Sequence, residues 1–272
     1  MTAASTTALP ERLDLGSGSG AIASLVAVES RRMLLNPVYL PALGYGLLVT
    51  GVDFGHGISQ LTRASVAEFI GILASFFFPL IAIFAASLVA TSARRAGAEE
   101  MLGALPVSAR NRSAALLLAG LAPAAVGAIG AGTAWYLERG VAAPHLGLSG
   151  GAFAAIPLLF LGVSALAVAA ARWLPWPGAP LALMVALVLW VTHAHGSSHA
   201  AAVLTAPWIV APDTDRAAIV AGYSDVWHFV YLSGLIGLAA TAALFREDLR
   251  RMVAVGTAIG LPTLLAAWAQ LP

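Results

Sequence analysis

The sequence predicts an all-α polytopic membrane protein with six to seven transmembrane helices, and three observations carry that prediction. Hydrophobic residues make up 60% of the 272-residue chain and charged residues only 10%, against roughly 25% charged in a soluble domain. The mean hydropathy is +0.87, and a water-soluble fold of this size cannot hide so much apolar surface behind so few charges. Apolar runs long enough to cross a bilayer recur along the chain, separated by short arginine-bearing segments. Unpaired peptide groups in lipid cost several kcal/mol each, and no closed-barrel alternation is present, so the spans are expected to be helices.

The elements follow in order. Residues 1–20 form a Ser/Thr/Ala/Gly segment with Glu11, Arg12 and Asp14. Without an apolar core it is not a signal peptide, and it is expected to be a disordered cytosolic leader. Residues 21–36 read as an amphipathic helix with Ile22, Leu25, Val26 and Met33 on one face and Glu29, Ser30 and Arg32 toward water. Such a helix would lie in the inner interface with its arginines at the headgroups, ended by Pro37. The other reading is that it extends the first span. Seven apolar runs follow, near Leu35–Val52, Val66–Ser92, Ser113–Leu137, Ala152–Ala171, Ala179–Thr192, Val226–Phe245 and Met252–Gln270. The first six make one transmembrane domain over 37–251. The last, over 252–272, is an extra span, rich in Gly and Ala and broken by Pro262. The fifth is short and borrows Trp176 or His193 at its ends. Before the sixth, the long loop from His193 to Asp225 contains the apolar stretch Ala200–Val210, too short to cross and expected to dip into the outer leaflet.

Arginine placement gives the orientation. With a cytosolic N-terminus the outer loops hold only Arg63, Arg139 and Arg216, and every other arginine falls on the inner side. The basic residues sit at span ends without interleaved aromatics, and the formal net charge is +1, so no nucleic-acid partner is expected. Cysteine is absent, which excludes disulfides, thiolate metal sites and cysteine nucleophiles. Lysine is absent too. A P-loop needs a lysine to reach the terminal phosphates, so this chain does not hydrolyse ATP.

The stretch from Ala93 to Arg112 concentrates the chemistry. It carries Arg94, Arg95, Arg110 and Arg112, the acid pair Glu99–Glu100, and a Leu105–Pro106 break, between two long apolar runs. Gly97 permits a sharp exit from the second span. Ala98, Met101, Leu102 and Leu105 recur at helical spacing, so a short helix with one apolar face is expected. Glu99 and Glu100 fall in its first turn, where the helix dipole favours carboxylates. Pro106 ends it, and Ser108 is placed to cap the third span. A short helix of this kind suits a groove on a partner, where apolar anchors give affinity and a polar rim sets register.

In these residues the chain resembles the permease subunits of ABC-type exporters, in the type-2 permease family. Members commonly carry Glu-Arg-x-x-Gly-Thr-x-Glu-x-Leu-Leu-x-x-Pro-Val-Ser between their second and third spans. Gly97, Glu100, Leu102, Pro106, Val107 and Ser108 match it without gaps, while Arg95 stands one place nearer to Gly97 than the family's arginine. The chain departs at Ala98, at Gly103 and at Ala115–Leu116, where the family has Thr, Leu and often Gly-Lys. The amphipathic leader helix and the long outer loop are also similar, so the resemblance covers about Ala21 to Arg251. It implies a multi-pass subunit of a bacterial cytoplasmic membrane that pairs with a second permease, identical or related, and sits on separate ATP-binding subunits. ATP and Mg²⁺ would be bound by those partners and no cofactor by this chain. Arg94, Arg95, Gly97, Glu99, Glu100, Met101, Leu102, Leu105, Pro106, Val107 and Ser108 would form the docking site, with 96–105 as its coupling helix.

Two other features compete. His193, His195 and His199 are spaced for a metal site on an extended chain, although no acid or thiol adjoins them. They motivate the alternative of a membrane-embedded enzyme or metal-handling protein. Glu68, with Asp53, His56 and Arg63 near the outer ends of the first two spans, is the best intramembrane charge, and an interfacial pairing is its simpler explanation. Trp173 and Trp176 beside the stiff Pro175–Pro180 loop read as interfacial anchors.

Overall fold

The computed structural model describes residues 18–53, 63–97, 108–139, 150–174, 176, 178–197 and 224–270. These are helical apart from turns, with no strand among the described residues. In chain order the helices are α1 (Gly18–Leu34), α2 (Tyr39–Asp53), α3 (Arg63–Ile72), a π-helical turn (Leu73–Phe77), α4 (Phe78–Ala90), α5 (Ser92–Arg95), α6 (Ala109–Ala119), α7 (Leu121–Glu138), α8 (Gly150–Trp173), α9 (Ala179–Ser197), α10 (Asp225–Leu244) and α11 (Leu249–Trp268). Among the described residues, five segments are long and apolar enough to cross a membrane: Phe69–Ala90, Ala109–Glu138, Phe153–Trp173, Asp225–Leu244 and Leu249–Trp268. The protein is therefore a helical membrane protein. Among the described residues α2 has 15 residues and α9 has 19.

Helix α8 is the hub. It packs against α4 and α7 on one side and α10 on another, with α9 alongside. Its sequence is apolar on every face, as a helix surrounded by others must be, and Ile156, Leu159, Phe160, Val163 and Val168 are all fully buried. Neighbouring helices reach it through small residues. A Cβ at Gly127 of α7 would overlap the Phe160 ring, and one at Gly120 would crowd Ser164 at 3.0 Å. Helix α11 docks on α10 in the same way, with Gly234 lying directly against Thr263. Lipid tails are as apolar as leucine, so close packing rather than water exclusion holds such pairs together.

The second span is α3, the π turn and α4 in succession. Pro79 lacks the N–H that would pair with the Ser75 carbonyl, and just ahead of it the ladder widens, with the Phe78 N–H donating to the Leu73 carbonyl. The Ser75 hydroxyl donates to the Gly71 carbonyl at 2.7 Å. The widened turn turns phenylalanines toward α2: Phe77 meets Tyr45 edge-on at 5.3 Å and Phe78 meets Tyr39 at 6.2 Å.

Several expectations are corrected. On α1, Glu29 and Ser30 do not face water. Ile22, Leu25, Val26, Glu29, Ser30 and Met33 form the more buried stripe, packed against α6, α7 and α4, with Met33 1% exposed. Protein, not only lipid, covers this helix. The third span is interrupted at Gly120, where α6 gives way to α7 and Pro123 has no N–H to donate to the Ala119 carbonyl. Pro262 does not break the last helix, which runs through it. Helix α9 continues past Thr192 to Ser197. The leader up to residue 17 and the dipping stretch Ala200–Val210 lie outside the described residues.

Two glycines of α7 separate close packing from bulk flexibility. Gly127→Ala is expected to destabilise the protein by about 1–3 kcal/mol, since the added Cβ would overlap the buried Phe160 ring. Gly132→Ala, which meets nothing within 4 Å, should change stability by no more than about 0.5 kcal/mol. Thermal unfolding of the purified variants in one detergent compares them.

Candidate functional site

One end of the bundle gathers the arginines, and side-chain bonds tie its helix termini together. Near the end of α4, where helical donors run out, three carbonyls receive side-chain donors, Ser87 in addition to its backbone bond from the Thr91 N–H. The Thr91 hydroxyl donates to Ser87 at 2.7 Å, Ser92 to Val89 at 2.8 Å, and the Arg95 guanidinium to Leu88 at 2.6 Å. The cation also complements the negative end of the helix dipole. Gly97 then leaves the helix at φ +65°, the left-handed conformation that closes helices and that a Cβ disfavours. The chain re-enters at Ser108, whose extended backbone and side-chain oxygen, accepting from the Asn111 N–H at 3.1 Å, cap α6. Exit and re-entry are both fixed.

The other termini at this end interlock with α6. Arg172, at the end of α8, donates to the Ala109 carbonyl at 3.0 Å. Next to it the Trp173 indole donates to the Ala242 carbonyl of α10, also at 3.0 Å. Arg110 stacks on Phe245 with its guanidinium 4.5 Å from the ring centroid, and Arg246 lies 6.0 Å from the Trp173 ring. The charges of Glu247, Arg246, Arg112 and Arg94 all act on Arg172. The result is a basic platform built from the ends of α4, α6, α8 and α10.

Of the sequence-predicted docking residues, the structure describes Arg94, Arg95, Gly97 and Ser108, and it brings them to this platform. Glu99, Glu100, Met101, Leu102, Leu105, Pro106 and Val107 lie outside the described residues. Sequence reasoning missed the partners that brace the site, Arg172, Trp173 and Phe245. The available signal was weak: an Arg-Trp or Phe-Arg pair at a span end fits interfacial anchoring equally well.

The opposite end holds a different polar group. His228 of α10 is buried and hydrogen-bonded through Nδ1 to the Gln270 side chain, whose amide donates to the Ala266 carbonyl at 2.7 Å. This closes the α10–α11 pair. Part of the histidine cluster is helical and not extended. Positions 193 and 195 are on helix α9, where residues two apart are separated by roughly 200° around the axis. His193 is exposed and His199 lies outside the described residues. Among the described residues no three His, Cys, Asp or Glu side chains converge on a metal position. The side chains of Asp53, His56, Arg63 and Glu68 are also outside them.

No family model, curated protein or solved structure matches this chain. The site is therefore read from its own residues.

Glu29 beneath the platform offers a titration test. Burial on the α1 stripe raises its carboxyl above the ordinary glutamate range, and the Arg32 guanidinium 3.2 Å away pulls it only partly back. A carboxyl raised in the folded state adds stability below its unfolded pKa and loses it as pH rises through the folded value. The wild-type melting temperature, measured relative to Glu29→Gln, should therefore fall as pH rises above the ordinary glutamate range. A difference that stays constant with pH would show that this carboxyl is not perturbed.

Proposed function

We propose that the chain is the membrane-spanning permease subunit of an ATP-driven exporter of the ABC type-2 kind, powered by a separate ATP-binding subunit. The observation that carries this reading is the gap-free spacing of Gly97, Glu100, Leu102, Pro106, Val107 and Ser108 between two apolar spans, just after the Arg94–Arg95 pair. Its mechanical plausibility comes from the capped termini on either side. A push on residues 98–107 has no slack to take up at Gly97 or Ser108, so it passes into α4 and α6. From there it reaches α8 and α10 through Arg172, Trp173 and Arg110.

In this scheme the arginine-rich end faces the cytosol of a bacterial inner membrane, as the positive-inside bias favours. The motor's closure tilts α4 and α6 together and switches the bundle from inward to outward access. A second permease subunit, identical or related, completes the pathway. The interior of the bundle offers few charges, which fits a hydrophobic or amphiphilic cargo. ATP and Mg²⁺ stay on the partner, consistent with a chain that has no lysine to build a P-loop.

The interface prediction is direct. Glu100→Arg, and separately Leu102→Asp with Leu105→Asp, should release the ATP-binding subunit from the solubilised complex while the melting temperature of the permease stays unchanged. Removing apolar anchors at the centre of an interface typically costs at least about 2 kcal/mol, roughly thirtyfold in affinity. Co-purification of the ATPase at wild-type stoichiometry with both variants would contradict the docking assignment.

A further inference from the structure

Between α1 and α4 the arginine-rich end opens into a groove of about 700 Å³. Its floor and walls are Val28, Leu35, Leu88 and Val89, and its rim carries Arg31, Arg32 and Arg95, with Asn36 at the turn. No carboxylate lines it among the described residues. An apolar trough under a triple cationic rim, at the level where a span ends, matches the chemistry of a phospholipid: an acyl chain below and a phosphate above.

Two of the three arginines are already held in place. Arg32 is pinned by Glu29 at 3.2 Å, and Arg95 is pinned by its 2.6 Å bond to the Leu88 carbonyl. Each guanidinium has five donors, so both keep N–H groups for a ligand while losing little freedom on binding it. The Asn36 side-chain oxygen accepts from the Val38 N–H at 3.2 Å, which fixes the amide and leaves its NH₂ to donate. Arg31 is exposed on the same turn of α1. Basic pockets between helices at a membrane face bind anionic headgroups.

We propose that this groove is a binding site for an anionic phospholipid, its phosphate held by Arg31, Arg32 and Arg95 and one acyl chain lying along Val28, Leu35, Leu88 and Val89. The bound lipid bridges α1 to the capped end of α4, where the docking segment begins. It would strengthen the base against which that segment works. The site depends only on the membrane character of the chain and stands whether or not an ATPase docks nearby.

The test uses the full-length protein in nanodiscs of pure phosphatidylcholine, with dioleoyl phosphatidylglycerol titrated in, read by thermal unfolding and by native mass spectrometry of ejected complexes. Wild type should show saturable stabilisation and a retained phosphatidylglycerol adduct. Arg31→Ala should weaken the apparent affinity roughly fivefold and Arg31→Ala with Arg95→Ala roughly twenty-five-fold, at about one basic residue's attraction each. Arg31→Lys should retain most of the binding. Melting in pure phosphatidylcholine should be equal for wild type and Arg31→Ala, which separates a lost site from a damaged fold. Equal response to phosphatidylcholine and phosphatidylglycerol, or an unaltered adduct in the double variant, would overturn the proposal. So would full replacement of the lipid effect by millimolar inorganic phosphate, which would make the ligand a free anion.

Discussion

A guanidinium cannot be left in hydrocarbon, and a peptide group cannot be left unpaired there. Together these two constraints account for most of this molecule. Every basic residue is an arginine, and arginine stays charged under all ordinary conditions, so the chain has no means of neutralising a cation that strays inward. Arg94, Arg95, Arg110, Arg112, Arg172 and Arg246 accordingly collect where helices end. There Arg95 donates to the Leu88 carbonyl near the end of α4, and Arg172 donates to the Ala109 carbonyl at the start of α6. These bonds tie the helix ends together in the platform.

The coarse fold was legible because the two relevant signals are strong and local. Hydrophobic runs and arginine positions gave the spans to within a few residues in α8 and α10, whose ends carry Gly, Trp or Asp. What the sequence hid was mostly due to proline. Pro79 widens the second span into a π turn, Pro123 accompanies the interruption of the third at Gly120, and Pro262 leaves α11 continuous. Each lies in an apolar helix, and its effect depends on neighbours that resupply the freed carbonyl or accept the bend. Periodicity alone ranks these cases together. The face of α1 was misjudged for a similar reason: Glu29 looks solvent-bound by type, yet its position in the stripe Ile22, Leu25, Val26, Met33 places it inside.

The candidate site was legible as a location and as a set of caps. Gly97 and Ser108 take the conformations that their residue types favour at a helix end and a helix start. The bracing of the platform was not legible, because it joins residues 63 and 69 positions apart through contacts that no spacing rule encodes. The groove beside α1 was missed likewise: it exists only because α1 folds back onto α4, bringing Arg31 and Arg32 across from Arg95.

The account turns on which side of the membrane the arginine-rich end occupies. The chain contains no cysteine, so a single Ala96→Cys variant carries one unambiguous label site beside Gly97. Membrane-impermeant maleimide applied to intact cells and to inverted membrane vesicles measures it directly. Labelling in inverted vesicles with protection in intact cells is the predicted result. Labelling of intact cells with protection in inverted vesicles would place the platform outside, beyond the reach of any ATP-driven partner, and would contradict the account.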